Sequence, residues 1–127
     1  MKHLNKSAQA IFETLTDGLV DVSESNFPEK QTHRTFGEDG GAFMAVHVER
    51  LARNLFSIAH YFEQNGDLCC DPDMTFKTAG DKVEVCEFQQ AIPPTYQRVD
   101  DLSPREIKSM VEFANQWMRN IKDQQGL

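Results

Sequence analysis

AHYFEQNGDLCCDPDMTF, positions Ala59 to Phe76, is the stretch whose reading decides the fold. It sets an Asn-Gly dipeptide, two cysteines and four acids (Glu63, Asp67, Asp71 and Asp73) between two strand-like runs. Asn65-Gly66 is the strongest short hairpin signal available, because both residues accept a positive φ. Before it, Leu55 to Gln64 alternates and puts Phe56, Ile58, His60 and Phe62 on one face. After it, Asp71-Pro72-Asp73 is more polar than a turn requires, and Met74 to Thr78 resumes as a strand.

Working outward, Phe43 to Arg50 alternates as well, with Met44, Val46 and Val48 on one face and Phe43, Ala45 and His47 on the other. Gly80-Asp81 marks a second tight turn before Lys82 to Gln89. There Val83 and Val85 share a face while Cys86 and Phe88 fall on the opposite one, which calls for covered faces on both sides or a bulge. Ile92-Pro93-Pro94 ends the sheet, since proline cannot donate to a ladder. These runs predict an antiparallel meander of about four strands.

Two helices flank it. Ala8, Ile11, Phe12 and Leu15 follow helical spacing from about Asn5 or Lys6 to Thr16, and Gly18 is a natural stop. Ser103-Pro104-Arg105-Glu106 is a capping box with proline at the first helical position. Behind it Ile107, Met110, Val111, Ala114, Trp117, Met118 and Ile121 form a stripe wide enough to lie across a sheet. Residues 23–41 carry no sustained period and read as a flexible loop. The expectation is a single α+β domain over 1–127, with both helices packed on one face of the sheet.

Composition narrows the function classes. The chain has 127 residues, 39% hydrophobic and 26% charged, which suits one globular domain. Twenty acids against 13 bases leave a net charge of −7. A nucleic-acid backbone is a poor partner for that balance, because counterion release needs clustered Lys and Arg. The balance fits a soluble cytosolic protein, of which many are acidic, and less well a protein that meets a basic surface. No apolar run approaches the roughly 20 residues of a membrane span, and no signal-peptide core is present. Three cysteines, two of them adjacent, argue against a secreted disulfide framework and for a reducing cytoplasm.

The candidate chemistry gathers at the hairpin. Asp67, Asp71 and Asp73, with Glu63 and His60 nearby, could hold Mg²⁺ or Mn²⁺, which take oxygen ligands. The competing reading is that Asp67 and Asp71 satisfy turn amides while Asp73 is solvated. His60 lies on the apolar side of its strand, where a hydrogen-bonded core histidine is the simpler account. Cys69-Cys70 lacks the separated pairs of structural zinc, and a nucleophilic cysteine there would need activation by His60 or another base. GEDGG at 37–41 is acidic and suits no phosphate, and no Walker, GxSxG or HExxH pattern or other cofactor signature occurs. Tyr96, Gln97 and Arg98 follow the double proline and form either a binding lip or, through Arg98 and Asp100 or Asp101, a local ion pair.

Ile58 to Leu68, followed by Asp71 to Phe76, resembles the core motif of a small uncharacterised bacterial family whose members resemble products of plasmids, phages and integrative elements. Met74-Thr75, Val85-Cys86 and Gln89-Gln90 before a closing helix are loosely similar to the YqiB-like family, likewise of unknown function. The first resemblance covers the central third of the chain. Where that pattern continues with a proline and an aspartate-glycine segment, this chain has Pro93-Pro94-Thr95-Tyr96 and then a helix. The resemblance implies mobile-element cargo without implying an activity.

The combined expectation is a small acidic cytoplasmic protein that acts as a non-enzymatic interaction or regulatory module with a protein partner. Its binding residues would be His60, Asn65, Asp67, Asp71, Asp73, Tyr96 and Arg98, and a homodimer through an edge strand at Phe43 to Arg50 is allowed. The alternative is a metal-dependent phosphoester hydrolase built on Asp67, Asp71 and His60. A weaker third option is an acidic decoy for a nucleic-acid site.

Overall fold

The structure, a computed structural model, describes residues 2–21, 31–38, 44–64 and 66–127, without the side chains of residues 62–64, 67 and 68. The first helix, α1, spans Lys6–Thr16, as its spacing requires. Asn5 caps it by accepting the Ala8 N–H at 2.8 Å, satisfying one of the donors a helix start leaves orphaned. The last helix, α2, spans Pro104–Gln125 and carries the full capping box: Ser103 Oγ accepts the Glu106 N–H, and the Glu106 carboxylate accepts the Ser103 N–H. Those bonds hold the Glu106 carboxyl below its usual pKa. Gly126, at φ 68°, closes the helix in the left-handed conformation.

Between the helices lie six strands: β1 His33–Phe36, β2 Val46–Ala52, β3 Leu55–Gln64, β4 Asp67–Ala79, β5 Lys82–Gln90 and β6 Thr95–Arg98. They form one antiparallel sheet whose spatial order is the chain order. Six strands replace the four expected. β1 lies inside the stretch read as a loop, and β6 follows the double proline that was expected to end the sheet. β4 is also longer, because pairing starts directly after the turn and takes up Cys69 to Asp73. With β1 alongside it, β2 is interior, so the segment from Phe43 to Arg50 supplies no edge for a homodimer. Its first residue, Phe43, lies outside the described residues.

Register sorts the side chains. One row across the sheet reads Arg34, Val48, Ile58, Met74, Phe88 and Gln97, apolar at its centre. The buried cluster joins this row to Val46, Phe56, Phe76, Val83 and Val85 of the strands, Phe12 and Leu15 of α1, and Met118 and Ile121 of α2. Phe12 is 2% exposed and meets Phe56 edge-on, with ring centroids 5.4 Å apart, and Phe76 at 5.5 Å. Trp117 of α2 meets His60 and Phe113 meets Phe88, each near 90° and at 5.5 Å.

Two irregularities adjust this pattern. Cys86 is the extra residue of a β5 bulge between the Thr75–Glu87 and Phe76–Val85 pairs, which resolves the phase conflict read in the sequence. In β4 the pairing jumps from Ala59–Asp73 to Tyr61–Cys70, so Asp71 and Pro72 together oppose His60. A proline has no N–H for the ladder, and the bulge sits where that donor is missing.

Polar contacts tie the ends. Arg34 and Arg50 donate to the Leu15 and Leu19 carbonyls, at 3.2 and 2.8 Å, just at and beyond the end of α1. The Asn5 N–H donates to Asn115 Oδ1 and joins the two helices. Residues 2–4 run beside β5, bonding through the Leu4 N–H to Val83 and the Val85 N–H to Lys2.

Phe12→Ala is expected to cost about 3–5 kcal/mol and to lower the melting temperature by more than about 10 °C. Ser103→Ala is expected to cost about 1 kcal/mol. Chemical and thermal denaturation followed by circular dichroism check both; equal effects would show that the ring carries no more of the core than a surface cap does.

Candidate functional site

The two register rows that flank the apolar one are polar. The first reads His33, Glu49, Ser57, Thr75, Glu87 and Arg98; the second reads Thr35, His47, Ala59, Asp73, Gln89 and Tyr96. Period-two alternation places both rows on the opposite side of the sheet from Ile58 and Met74. They line a shallow groove of about 210 Å³, walled by Glu49, Tyr61, Asp73, Glu87 and Tyr96 and floored in part by Ser57 and Thr75. A second depression, bounded by His33, His47 and Tyr61, runs on from it towards β1.

Hydrogen bonds lock these side chains across the strands. Ser57 Oγ donates to Asp73 Oδ1 at 2.9 Å, and the Tyr96 hydroxyl donates to Glu87 Oε1 at 3.1 Å. Thr75 Oγ1 lies 3.5 Å from the second Glu87 oxygen. The His47 and Tyr61 rings meet edge-on at 5.2 Å, and Thr35 Oγ1 lies 3.4 Å from His47 Nδ1.

Electrostatically the groove is acidic. Partial burial pushes the Asp73 carboxyl above its ordinary value of 3.8, helped by the nearby Glu87 and Glu49 charges and opposed by the Ser57 hydrogen bond. Burial, followed by the Asp73 charge, also raises the Tyr61 phenol. Among the described residues, no lysine or arginine reaches ion-pair distance of Glu49, Asp73 or Glu87.

The residues singled out in the sequence separate. Asp73 and Tyr96 belong to the groove. Arg98 stands at the end of its row, 4.0 Å from Asp100, an exposed pair of the kind that contributes little. His60 turns the other way and is buried against Trp117. Asp71 is close enough to His60 for its charge to act on the ring, yet His60 and Asp73 belong to opposite faces. Asn65 and the Asp67 side chain lie outside the described residues. Among the described residues, no three His, Cys, Asp or Glu side chains converge as metal ligands would. Burial and then the neighbouring Asp73 push the Cys70 thiol pKa up, the opposite of what a nucleophilic cysteine needs.

Glu49, Ser57, Tyr61, Thr75 and Glu87 do not stand out in the sequence. Their signal is a set of polar residues at every second position of four successive strands. It is masked because each such residue is unremarkable alone and the row forms only once register is set.

Replacing Asp73 by Asn keeps an acceptor for Ser57 and removes the charge. A carboxyl raised in the folded state burdens stability fully above its folded pKa, and the burden vanishes as pH falls towards 3.8. Asp73→Asn is therefore expected to melt higher than the parent at pH 7 and level with it near pH 4, measured by scanning calorimetry. A variant that melts lower at pH 7 would mean that the carboxylate is held more favourably than its surroundings indicate.

No curated protein and no solved structure matches this chain. No helix among the described residues is long and apolar enough to cross a membrane. The model of one family, described as a domain of unknown function (DUF6908), matches residues 20–127, from just after α1 through the whole sheet and α2. The chain belongs to that family, DUF6908.

Proposed function

We propose that the chain is a non-enzymatic interaction module that holds a Lys- or Arg-bearing segment of a partner protein on the polar face of its sheet. On this reading both helices serve the other face, and the contacts of Phe12 with Phe56 and of Trp117 with His60 support that. Among the described residues, that leaves the rows of Glu49 and Asp73 without a covering layer. The observation that carries the reading is the groove itself, where three carboxylates and two tyrosines meet no cation among the described residues. A carboxylate kept partly out of water without a counter-ion is costly in the free protein, and a bound guanidinium or ammonium removes that cost. Tyr61 and Tyr96 add ring surface for the same cation, and the net charge of −7 steers a basic partner from a distance. The residues that carry the function on this reading are Glu49, Asp73, Glu87, Tyr61 and Tyr96, with Arg98 at the rim. A cytoplasmic setting, with the partner encoded by a host or by a mobile element, follows from the cysteine usage and from the resemblance of the central third.

A fluorescein-labelled peptide alternating Lys and Arg, followed by anisotropy, is the test. Binding is expected to weaken at least tenfold in the Glu49→Gln, Asp73→Asn, Glu87→Gln variant and to persist in Glu13→Gln, Glu112→Gln, Asp123→Asn, which neutralises the same number of exposed helix acids. Equal losses in both variants would reduce the effect to bulk charge and sink the proposal.

A further inference from the structure

Among the described residues only two polar or charged side chains are buried, Asp21 and His60. His60 is 6% exposed and its Nε2 meets no hydrogen-bond partner among the described residues. The same holds for Nε1 of Trp117, which is 5% exposed. The two rings touch at right angles, with centroids 5.5 Å apart, one on β3 and the other on α2. Two contacting rings that each carry an unpartnered nitrogen inside a core are unusual, since buried polar atoms are nearly always bonded.

The neighbours of His60 pull it in two directions. Asp71 of β4, placed opposite it by the proline bulge, favours the charged ring. His47 of β2 opposes that charge, and α2 presents the neutral indole. Burial outweighs Asp71, so the ring's pKa lies below its ordinary 6.5 and the neutral form packs at pH 7. A proton on the ring would place a cation against Trp117 with one carboxylate among the described residues, Asp71, as its available counter-ion.

We propose that His60 and Trp117 form a proton-operated clasp between the sheet and α2. The neutral imidazole seats the indole; the imidazolium turns to Asp71, admits water and loosens the middle of α2. The clasp lies on the face opposite the acidic groove and is independent of peptide binding. Linkage gives the sign: a histidine whose folded pKa is lowered contributes fully above the unfolded value of 6.5, and the contribution is lost as pH falls through the folded pKa.

Trp117 is the sole tryptophan, so its emission reports the contact directly. Between pH 8 and pH 5 the emission of the parent is expected to shift to the red with a midpoint below 6.5. Amide exchange over residues 113–121, corrected for intrinsic rate, is expected to rise by at least tenfold relative to residues 55–59. His60→Phe should abolish both changes, and His47→Gln should keep them. Asp71→Asn, which leaves the core packing alone, should move the midpoint to lower pH, and it serves as the decisive variant if His60→Phe does not fold. A flat parent titration, an unchanged transition in His60→Phe, an unmoved midpoint in Asp71→Asn, or quenching without red shift and exchange would each overturn the clasp.

Discussion

The insertion of Phe12 between Phe56 and Phe76 is the contact on which the remaining architecture depends. It joins one helix to two neighbouring strands with a single ring, at the place where β3 and β4 pair residue for residue. Burying a phenylalanine contributes about 1.5–3 kcal/mol, and edge-on ring contacts add to that. Every strand that presents a residue to this cluster must present the alternate residue to the other side. The polar rows are thus the geometric complement of the apolar one, and the position of Phe12 indirectly sets where Asp73 and Glu87 come to lie.

Much of this architecture is legible in the order of the residues. Both helices, the Ser103 capping box, the turn at Gly66 and the full span of β3 follow from local rules that act over a few residues. β1 and β6 are not legible, for a physical reason: each is four residues long and at a sheet margin, where burial alternates only weakly. Their strand character comes from the neighbour they pair with. Asp71-Pro72-Asp73 misleads differently. Its polarity speaks for a loop, and the partner strand β3 holds it in the ladder regardless.

The candidate site divides along the same line. Asp73 and Tyr96 stand out by sequence context and His60 by its place in an apolar alternation, which its burial bears out. Glu49 and Glu87 come from strands far apart in the chain and become neighbours of Asp73 only through register. The two faces also respond to acid in opposite senses. Protonating Asp73 relieves a desolvated charge, while protonating His60 creates one. A single acid titration therefore tightens one side of the sheet while it weakens the other.

The strand order has a consequence for how the chain finds this structure. With β1 to β6 adjacent in sequence and in space, the described turns of the meander are short and their closure entropy is small. The contacts of Phe12 with Phe76, and of Leu4 with Val83, instead join residues half the chain or more apart. Local hairpins dominate the contact order, and the distant contacts concentrate in α1 and the residues before it. The entropic barrier to folding thus falls on the seating of the first helix. The full seat of that helix, against Phe56, Phe76 and Val83, exists only once β3, β4 and β5 have met.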